Sequence, residues 1–225
     1  IATDDLGIKT DWMHTADSEL FDKALDRIEK IRDGRPVFIF LLTIRNHGPH
    51  AEQIADLDHS VPATMRNLPP PLIDYLFRLE ESASALQALR QRWLDSPRPR
   101  VLAWFGDHQP LFAVQSKISE QYMTNLLPQQ RPSSEHLHNL TWYALSSNTP
   151  TPPGAAQRSK PLDLAYLHAE LLAFSGLPPQ ASTAATREIQ TLCPMGILLC
   201  ADGQAVKEYL SFRIWDLKDI SSSHP

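Results

Sequence analysis

The sequence predicts an α/β fold with a mostly parallel sheet and helices on both faces of that sheet. Two apolar segments, 36–44 (PVFIFLLTI) and 101–106 (VLAWFG), are continuous and rich in β-branched and aromatic residues, which is typical of strands covered on both faces. A long stretch with helical periodicity separates them, and this order predicts a strand–helix–strand unit. The chain has 225 residues, enough for one sizeable α/β domain.

Helices are predicted where apolar residues recur at three- and four-residue steps. The first helix begins at Asp17, a favourable capping residue, and closes before Gly34. The second begins after Asn67 and three prolines, and the segment 96–100 (SPRPR) ends it. This second helix is the one that lies between the two predicted strands.

The remainder of the chain is predicted with fewer signals. Residues 109–139 form a long irregular insertion, and 140–147 (LTWYALSS) follows as a third strand. A further helix begins at Pro161 and ends before Gly176. Two late apolar segments are predicted as strands at a sheet edge, namely GILLC (196–200) and EYLSFRIWDL (208–217).

Composition excludes some classes of function. The net charge is −5 and no dense Lys/Arg cluster is present, so a nucleic-acid surface is not expected. The longest apolar run, Val37–Ile44, is far shorter than the ~20 residues that span a bilayer. Cys193 and Cys200 are close enough in sequence to form a bridge, with two buried thiols as the alternative. Because the chain starts at Ile1 and not at Met, we expect it to be a piece of a longer protein.

Chemically versatile side chains follow the ends of the two predicted strands. Asn46 and His47 follow the first strand, and Asp107 and His108 follow the second. In open parallel sheets, ligands bind beyond the carboxyl ends of the strands, so all four side chains are expected at one edge. Carboxylate and imidazole are ordinary ligands of zinc and manganese. The alternative is an Asp that caps the next turn beside a packed His.

Two sequence segments carry a resemblance to a known family. The phrase FIFLLTIRNHGPH (38–50), followed later by VLAWFGDHQP (101–110), resembles the sulfatase-type branch of the alkaline-phosphatase superfamily. Within that branch it is similar to the phosphoglycerol and phosphoethanolamine transferases of bacterial envelopes, the lipoteichoic-acid-synthase-like enzymes. Segments 17–30, 161–178 and 209–217 resemble other parts of these proteins, so the likeness covers most of the chain.

The resemblance implies roles for individual residues. Asp107 and His108 match a metal-ligand pair, and His47 matches a catalytic histidine that contacts substrate. Asn46 is expected to donate a hydrogen bond to substrate or to fix the loop. Arg45 is expected to neutralise an anionic substrate, with a solvated strand end as the alternative. Two further histidines are expected to reach the substrate, His136 and His138.

The resemblance also implies that part of the active site lies elsewhere. The first metal carboxylate and the Thr or Ser nucleophile of the family would lie upstream of Ile1, so residues 1–225 resemble the C-terminal portion of a single catalytic domain with the insertion at 109–139. We therefore expect the N-terminal part of an alkaline-phosphatase-like fold to be missing. We also expect this chain alone to bind metal weakly and to be inactive.

The function that the resemblance implies is metal-dependent transfer of phosphoglycerol or phosphoethanolamine, or ester hydrolysis. The expected cofactor is a divalent ion, manganese or zinc, with calcium or magnesium as alternatives. The expected substrate is an anionic envelope lipid or glycan. The expected location is the periplasmic face of the inner membrane, reached through an upstream membrane segment. A sulfatase and a non-catalytic binding domain with the same fold are the alternatives, and no oligomeric state is predicted.

Overall fold

The computed structural model describes residues 6–8, 15–31, 34–50, 62–110, 141–150 and 162–216. Within these ranges the chain is mainly helical and contains one two-stranded antiparallel sheet, so the predicted α/β fold with a mostly parallel sheet is wrong. The α-helices are α1 (Asp17–Ile31), α2 (Pro70–Leu94), α3 (Leu167–Phe174), α4 (Ala181–Leu192) and α5 (Gly203–Ser211). The strands are β1 (Val101–Phe105) and β2 (Tyr143–Ser147). Short 3₁₀ turns lie at Ala63–Met65, Leu164–Tyr166 and Ile197–Leu199, and a π-helical turn follows α5 at Phe212–Asp216. Each helix in the described ranges is too short or too polar to cross a lipid bilayer.

The two strands run in opposite directions. The amide of Gly106 donates to the carbonyl of Trp142 at 3.0 Å, and the amide of Asn148 donates to the carbonyl of Arg100 at 3.2 Å. The start of β1 therefore lies beside the end of β2, which is the antiparallel arrangement. The Asn148 side chain fixes the turn before β1, because its Oδ1 accepts from the Arg100 amide at 2.7 Å and its Nδ2 donates to the Arg98 carbonyl at 2.7 Å.

The first predicted strand, 36–44, is not part of this sheet. The described residues offer it no strand partner, and its apolar side chains are not covered as predicted. Phe38 is 80% exposed, Phe40 63% and Leu42 67%. Hydrophobic and β-branched composition predicts a strand because such side chains suit a half-buried pleated surface, but pairing also needs a neighbouring strand edge, which composition does not specify.

The two late segments predicted as strands are also wrong. Residues 197–199 form a 3₁₀ turn, and the end of α5 together with the π-helical turn after it occupies 208–216 of the second segment. Asp202 is the reason that a helix begins here, because its Oδ1 accepts from the amides of Gln204 at 3.1 Å and Ala205 at 2.9 Å. These are two of the amides that a helix start leaves without an intrahelical partner.

The chain divides into two compact units. Unit 1 comprises Ile1–Asp95 and Phe105–Tyr143, and unit 2 comprises Ser96–Trp104 and Ala144–Pro225. In unit 1, α1 packs against α2. The two helices meet along their apolar faces. The buried apolar residues of the two helices are Phe21, Ala24, Leu25, Ile28, Ala85 and Leu89. The assignment of residues 1–225 to one catalytic domain stays a prediction.

Unit 2 has its core around a disulfide. Cys193 and Cys200 are bonded, so the bridge and not the pair of thiols is the correct alternative. Cys193 is 2% exposed and packs with Tyr166, Ile189 and Tyr209. The Tyr166 hydroxyl donates to the Cys193 carbonyl at 3.0 Å, and burial raises the pKa of Tyr166 to about 12. The hydroxyl therefore stays protonated as the donor.

Candidate functional site

Three predicted site residues lie on one loop of unit 1, residues 45–50, here called the histidine loop. Arg45 is 6% exposed, and its Nε donates to Glu81 Oε2 on α2 at 2.8 Å. Its amide hydrogen-bonds the carboxylate of Asp17, the buried first residue of α1. The Arg45 side chain is thus buried, not on a solvated face, and Glu81 provides its counter-charge. Its role in neutralising substrate stays a prediction.

The Asp17 carboxylate, which accepts a hydrogen bond from the start of this loop, has a raised pKa. Burial is the main cause that raises the pKa of Asp17, and the negative charge of Glu81 adds to it. The nearby Ser82 side chain, the charge of Arg45 and the Arg45 amide act in the opposite direction. The start of the loop is therefore held between one carboxylate of α1 and one of α2.

The next two residues of the histidine loop, Asn46 and His47, differ in exposure. The His47 side chain is exposed, and its Nδ1 lies 2.6 Å from the carbonyl oxygen of Gly48. A carbonyl only accepts, so Nδ1 carries the proton and Nε2 carries the lone pair when the ring is neutral. Asn46 Oδ1 is buried and accepts no hydrogen bond from the described residues.

Arg78 of α2 holds the backbone of the histidine loop. Its side chain is 2% exposed, and its Nε and Nη2 donate to the two carboxylate oxygens of Asp74 at 3.1 and 2.8 Å. Nη1 donates to the carbonyls of Arg45 at 3.4 Å and His47 at 3.1 Å. Nη2 donates to the carbonyl of Pro49 at 3.2 Å. A guanidinium has five N–H groups, and here all five have an acceptor.

His50 closes the histidine loop against the same helix. Its Nδ1 lies 3.6 Å from Asp74 Oδ2, and its ring meets the Tyr75 ring edge to face at a centroid distance of 5.5 Å. Burial is the main cause that lowers the pKa of His50, and the positive charge of Arg78 and a smaller effect of His47 act in the same direction. Asp74 opposes this shift.

We expect unit 1 to lose stability in mild acid because of His50. A lowered folded-state pKa means that the unfolded chain binds the proton more readily. The contribution of His50 to stability is therefore constant above pH 6.5 and falls as the pH drops through 6.5 towards the folded-state pKa. Urea unfolding at several pH values between 7.5 and 5 measures this effect. The His50→Gln variant should lose less stability than the wild type over that range, and parallel pH profiles of the two proteins would contradict the expectation.

The second group of predicted residues lies in the turn after β1, residues 106–109, here called the ligand turn. Gly106 lets the side chain of Thr141 approach the backbone here, because a Cβ atom at this position would collide with Thr141 Oγ1 unless that hydroxyl moved. The Asp107 side chain folds back so that its Oδ1 accepts from the His108 amide at 2.9 Å. His108 Nδ1 lies 3.0 Å from the Gln109 carbonyl, so it carries the proton of the neutral ring.

Asp107 and His108 are placed so that both can bind one cation. His108 Nε2 lies 3.5 Å from Asp107 Oδ2, and the side chains are 45% and 75% exposed. When Nδ1 carries the proton, the lone pair of Nε2 and the carboxylate oxygen of Asp107 lie close together. A proton or a metal ion bound by both atoms would stabilise this arrangement. Two ligands of a tetrahedral zinc ion lie about 3.4 Å apart, which is close to the observed separation. The described residues contain no group of three or more His, Cys, Asp or Glu side chains placed around one metal position.

The structure brings Arg45, Asn46 and His47 together, and separately Asp107 and His108. Convergence of the histidine loop and the ligand turn on one substrate stays a prediction. His136 and His138 lie outside the described residues.

Sequence reasoning missed the residues of α2 that hold the histidine loop, Asp74 and Arg78. An Asp–Arg pair four residues apart on a helix is normally a surface pair, so the spacing gives only a weak signal of burial.

Comparisons with known proteins give two distant relatives. The chain is 26% identical over 147 residues to an uncharacterized protein of Haemophilus influenzae (strain Rd), covering 64% of this chain and 24% of that protein. It is 30% identical over 101 residues to the capsular polysaccharide biosynthesis protein RkpI of Rhizobium meliloti (strain 1021), covering 45% of this chain and 17% of that protein. The chain thus spans about a quarter or less of the length of these relatives. No protein-family model matches it, and no solved structure matches it significantly.

Proposed function

We propose that this chain is part of a metal-dependent enzyme that transfers or hydrolyses phosphoryl-type esters, such as phosphoglycerol or phosphoethanolamine esters, on envelope glycans or lipids. The observation that supports this most is the ligand turn, where Asp107 Oδ2 and His108 Nε2 lie 3.5 Å apart. The similarity to a capsular polysaccharide biosynthesis protein supports an envelope polysaccharide as the setting.

The residues of the ligand turn fit a divalent ion, with manganese or zinc favoured by the mixed oxygen and nitrogen donors. Asp107 would offer Oδ2 while its Oδ1 stays bonded to the His108 amide, and His108 would offer Nε2 while its Nδ1 stays bonded to the Gln109 carbonyl. Such outer hydrogen bonds orient metal ligands in proteins. A bound ion of this kind supplies charge neutralisation to phosphoryl oxygens and lowers the pKa of an attacking hydroxyl.

His47 is proposed as the general acid that donates a proton to the leaving oxygen. Its Nε2 is the unprotonated nitrogen of the neutral ring, because Nδ1 is bonded to the Gly48 carbonyl. In the imidazolium form, Nε2 carries a proton that it can donate to the leaving oxygen, and Nδ1 keeps its bond to the loop. We expect the hydroxyl nucleophile to lie outside residues 1–225, as the family resemblance implies.

The proposed location is the periplasmic face of the inner membrane. The Cys193–Cys200 disulfide supports an oxidising compartment, since disulfides persist in the periplasm and are rare in the cytosol. The proposed membrane attachment is through a segment preceding residue 1, as the family resemblance implies.

The test is an ester-hydrolysis assay on the protein as expressed from its own gene. After treatment with EDTA, restored MnCl₂ or ZnCl₂ should support hydrolysis of bis(p-nitrophenyl) phosphate, and His47→Ala should lower kcat by at least about 100-fold because the proton transfer is lost. Thermal unfolding of the variant serves as the folding control. Hydrolysis of p-nitrophenyl sulfate in place of the phosphodiester would favour a sulfatase and contradict the phosphoryl-transfer proposal.

A non-catalytic binding domain is the second candidate, and one observation favours it. The described residues place only two ligand side chains at the ligand turn, and Asp107 also acts as a cap for the His108 amide. A protein that binds Mn²⁺ and an envelope glycan but hydrolyses neither ester would support this candidate over the enzyme.

A further inference from the structure

The buried guanidinium of Arg78 binds the backbone of the histidine loop at alternate residues. It contacts the carbonyls of Arg45, His47 and Pro49, which flank and include the residue that carries the exposed imidazole. The two ends of this segment are therefore tied to one rigid group on α2. One side chain therefore binds the backbone on both sides of His47.

Asp74 holds Arg78 in the orientation that this contact needs. Both carboxylate oxygens of Asp74 accept from the guanidinium, at 3.1 Å from Nε and 2.8 Å from Nη2. This two-point pairing fixes the plane of the guanidinium, and so it directs the remaining N–H groups towards the loop carbonyls. Lysine has one ammonium group with three donors, and it cannot reproduce five bonds in a plane.

The loop geometry in turn determines which ring nitrogen of His47 carries the proton. Nδ1 reaches the Gly48 carbonyl at 2.6 Å only because the backbone from 45 to 49 follows this path. The tautomer of a histidine is set by the hydrogen bond that one of its nitrogens makes. Nε2 is thereby kept as the nitrogen that carries the lone pair of the neutral ring.

We propose that Arg78 is a positioning residue that selects the Nδ1–H tautomer of His47 by holding the carbonyls on either side of it. This inference rests on the proposed function only for its effect on turnover. The effect on the imidazole itself is a property of the folded chain and is measured without any substrate.

The experiment is ¹⁵N NMR of the histidine rings in the wild type, Arg78→Lys and Arg92→Lys. Arg92 lies on the same helix and pairs with Asp22 at an exposed position, so its substitution repeats the chemical change away from the loop. We expect the Nδ1–H tautomer of neutral His47 in the wild type and in Arg92→Lys. In Arg78→Lys we expect the tautomer mixture of a solvated histidine. An unchanged tautomer in a folded Arg78→Lys protein would overturn the proposal.

A measurement on the wild type covers the case in which Arg78→Lys does not fold. The N–H protons of the Arg78 guanidinium should exchange with water much more slowly than those of Arg92, because all five are bonded in a buried position. Exchange of Arg78 as fast as that of Arg92 would contradict the proposed contact.

Turnover provides a second readout that separates positioning from general destabilisation. Misplacement of a catalytic group by about 1 Å can cost about 100-fold in rate, so Arg78→Lys should lower kcat by up to that factor when His47 is present. In a His47→Ala background the same substitution should change kcat by less than about 2-fold, because the two residues act through one step. Equal losses in both backgrounds would refute positioning through His47. A protein with no ester hydrolysis but a changed His47 tautomer would refute the proposed function alone.

Discussion

Alanine at Asp107 is expected to abolish the binding of Mn²⁺ to the ligand turn. Asp107 Oδ2 lies 3.5 Å from His108 Nε2, and removing the carboxylate takes away one of the two ligand atoms and its negative charge. Loss of an outer-shell partner alone weakens metal sites by about 10- to 100-fold, and loss of a direct ligand should have at least that effect. Because a site with two protein ligands binds Mn²⁺ weakly, the measurement has to be sensitive to a small fraction of protein with Mn²⁺ bound.

Paramagnetic broadening of histidine ring signals is a suitable measurement on the purified 225-residue chain. Added MnCl₂ should broaden the His108 signals first in the wild type, and this selectivity should disappear in Asp107→Ala. Asp95→Ala is the matched control, because Asp95 is an exposed aspartate at the end of α2 and, unlike Asp107, is not followed by a histidine in the sequence. Equal broadening of His108 in the wild type and in Asp107→Ala would rule out the metal assignment.

Removal of the Cys193–Cys200 disulfide should lower the free energy of unfolding of unit 2 by about 2.5 kcal/mol. The bridge joins residues seven positions apart, so it restricts a short loop of the unfolded chain, and the chain-entropy relation gives this modest value. Urea unfolding of the Cys193→Ser/Cys200→Ser variant measures the loss. A reducing agent should lower the wild-type midpoint and leave that of the variant unchanged. A wild-type midpoint insensitive to reduction would contradict a stabilising bridge.

Much of the helical structure could be predicted from sequence because it depends on local signals. The predicted helix from Asp17 and the one after Asn67 are confirmed as α1 and α2, since apolar spacing and favourable end residues act within a few turns. The strand predicted at 101–106 is also confirmed as β1, but it pairs in an antiparallel sheet and is half-buried, not covered on both faces. The segment 36–44 has the same strand composition as β1, but pairing depends on distant residues, and it finds no partner in the described ranges.

The buried face of α2 shows where apolar patterning fails. Its leucines predict a face that includes Leu79, but Leu79 is 42% exposed, whereas Asp74 and Arg78 are buried. These polar side chains can be buried because each is fully hydrogen-bonded to the other or to the histidine loop. The residue types of the candidate site could thus be predicted from their chemistry. The supporting role of Arg78 could not, because Arg78 binds backbone carbonyls, and the pattern of side chains in the sequence does not show which carbonyls a side chain will meet.

All N–H groups of Arg78 are already hydrogen-bonded, and this limits which groups can bind an anion beside His47. Each N–H of this guanidinium is already bound within the fold, and the charge of Arg45 is offset by Glu81. The positive charges of Arg78 and Arg45 are thus both paired with carboxylates within the fold. If the proposed phosphodiester binds beside His47, we therefore expect its negative charge to be compensated by the proposed divalent ion and not by these two guanidinium groups, so that substrate binding depends on the concentration of that ion.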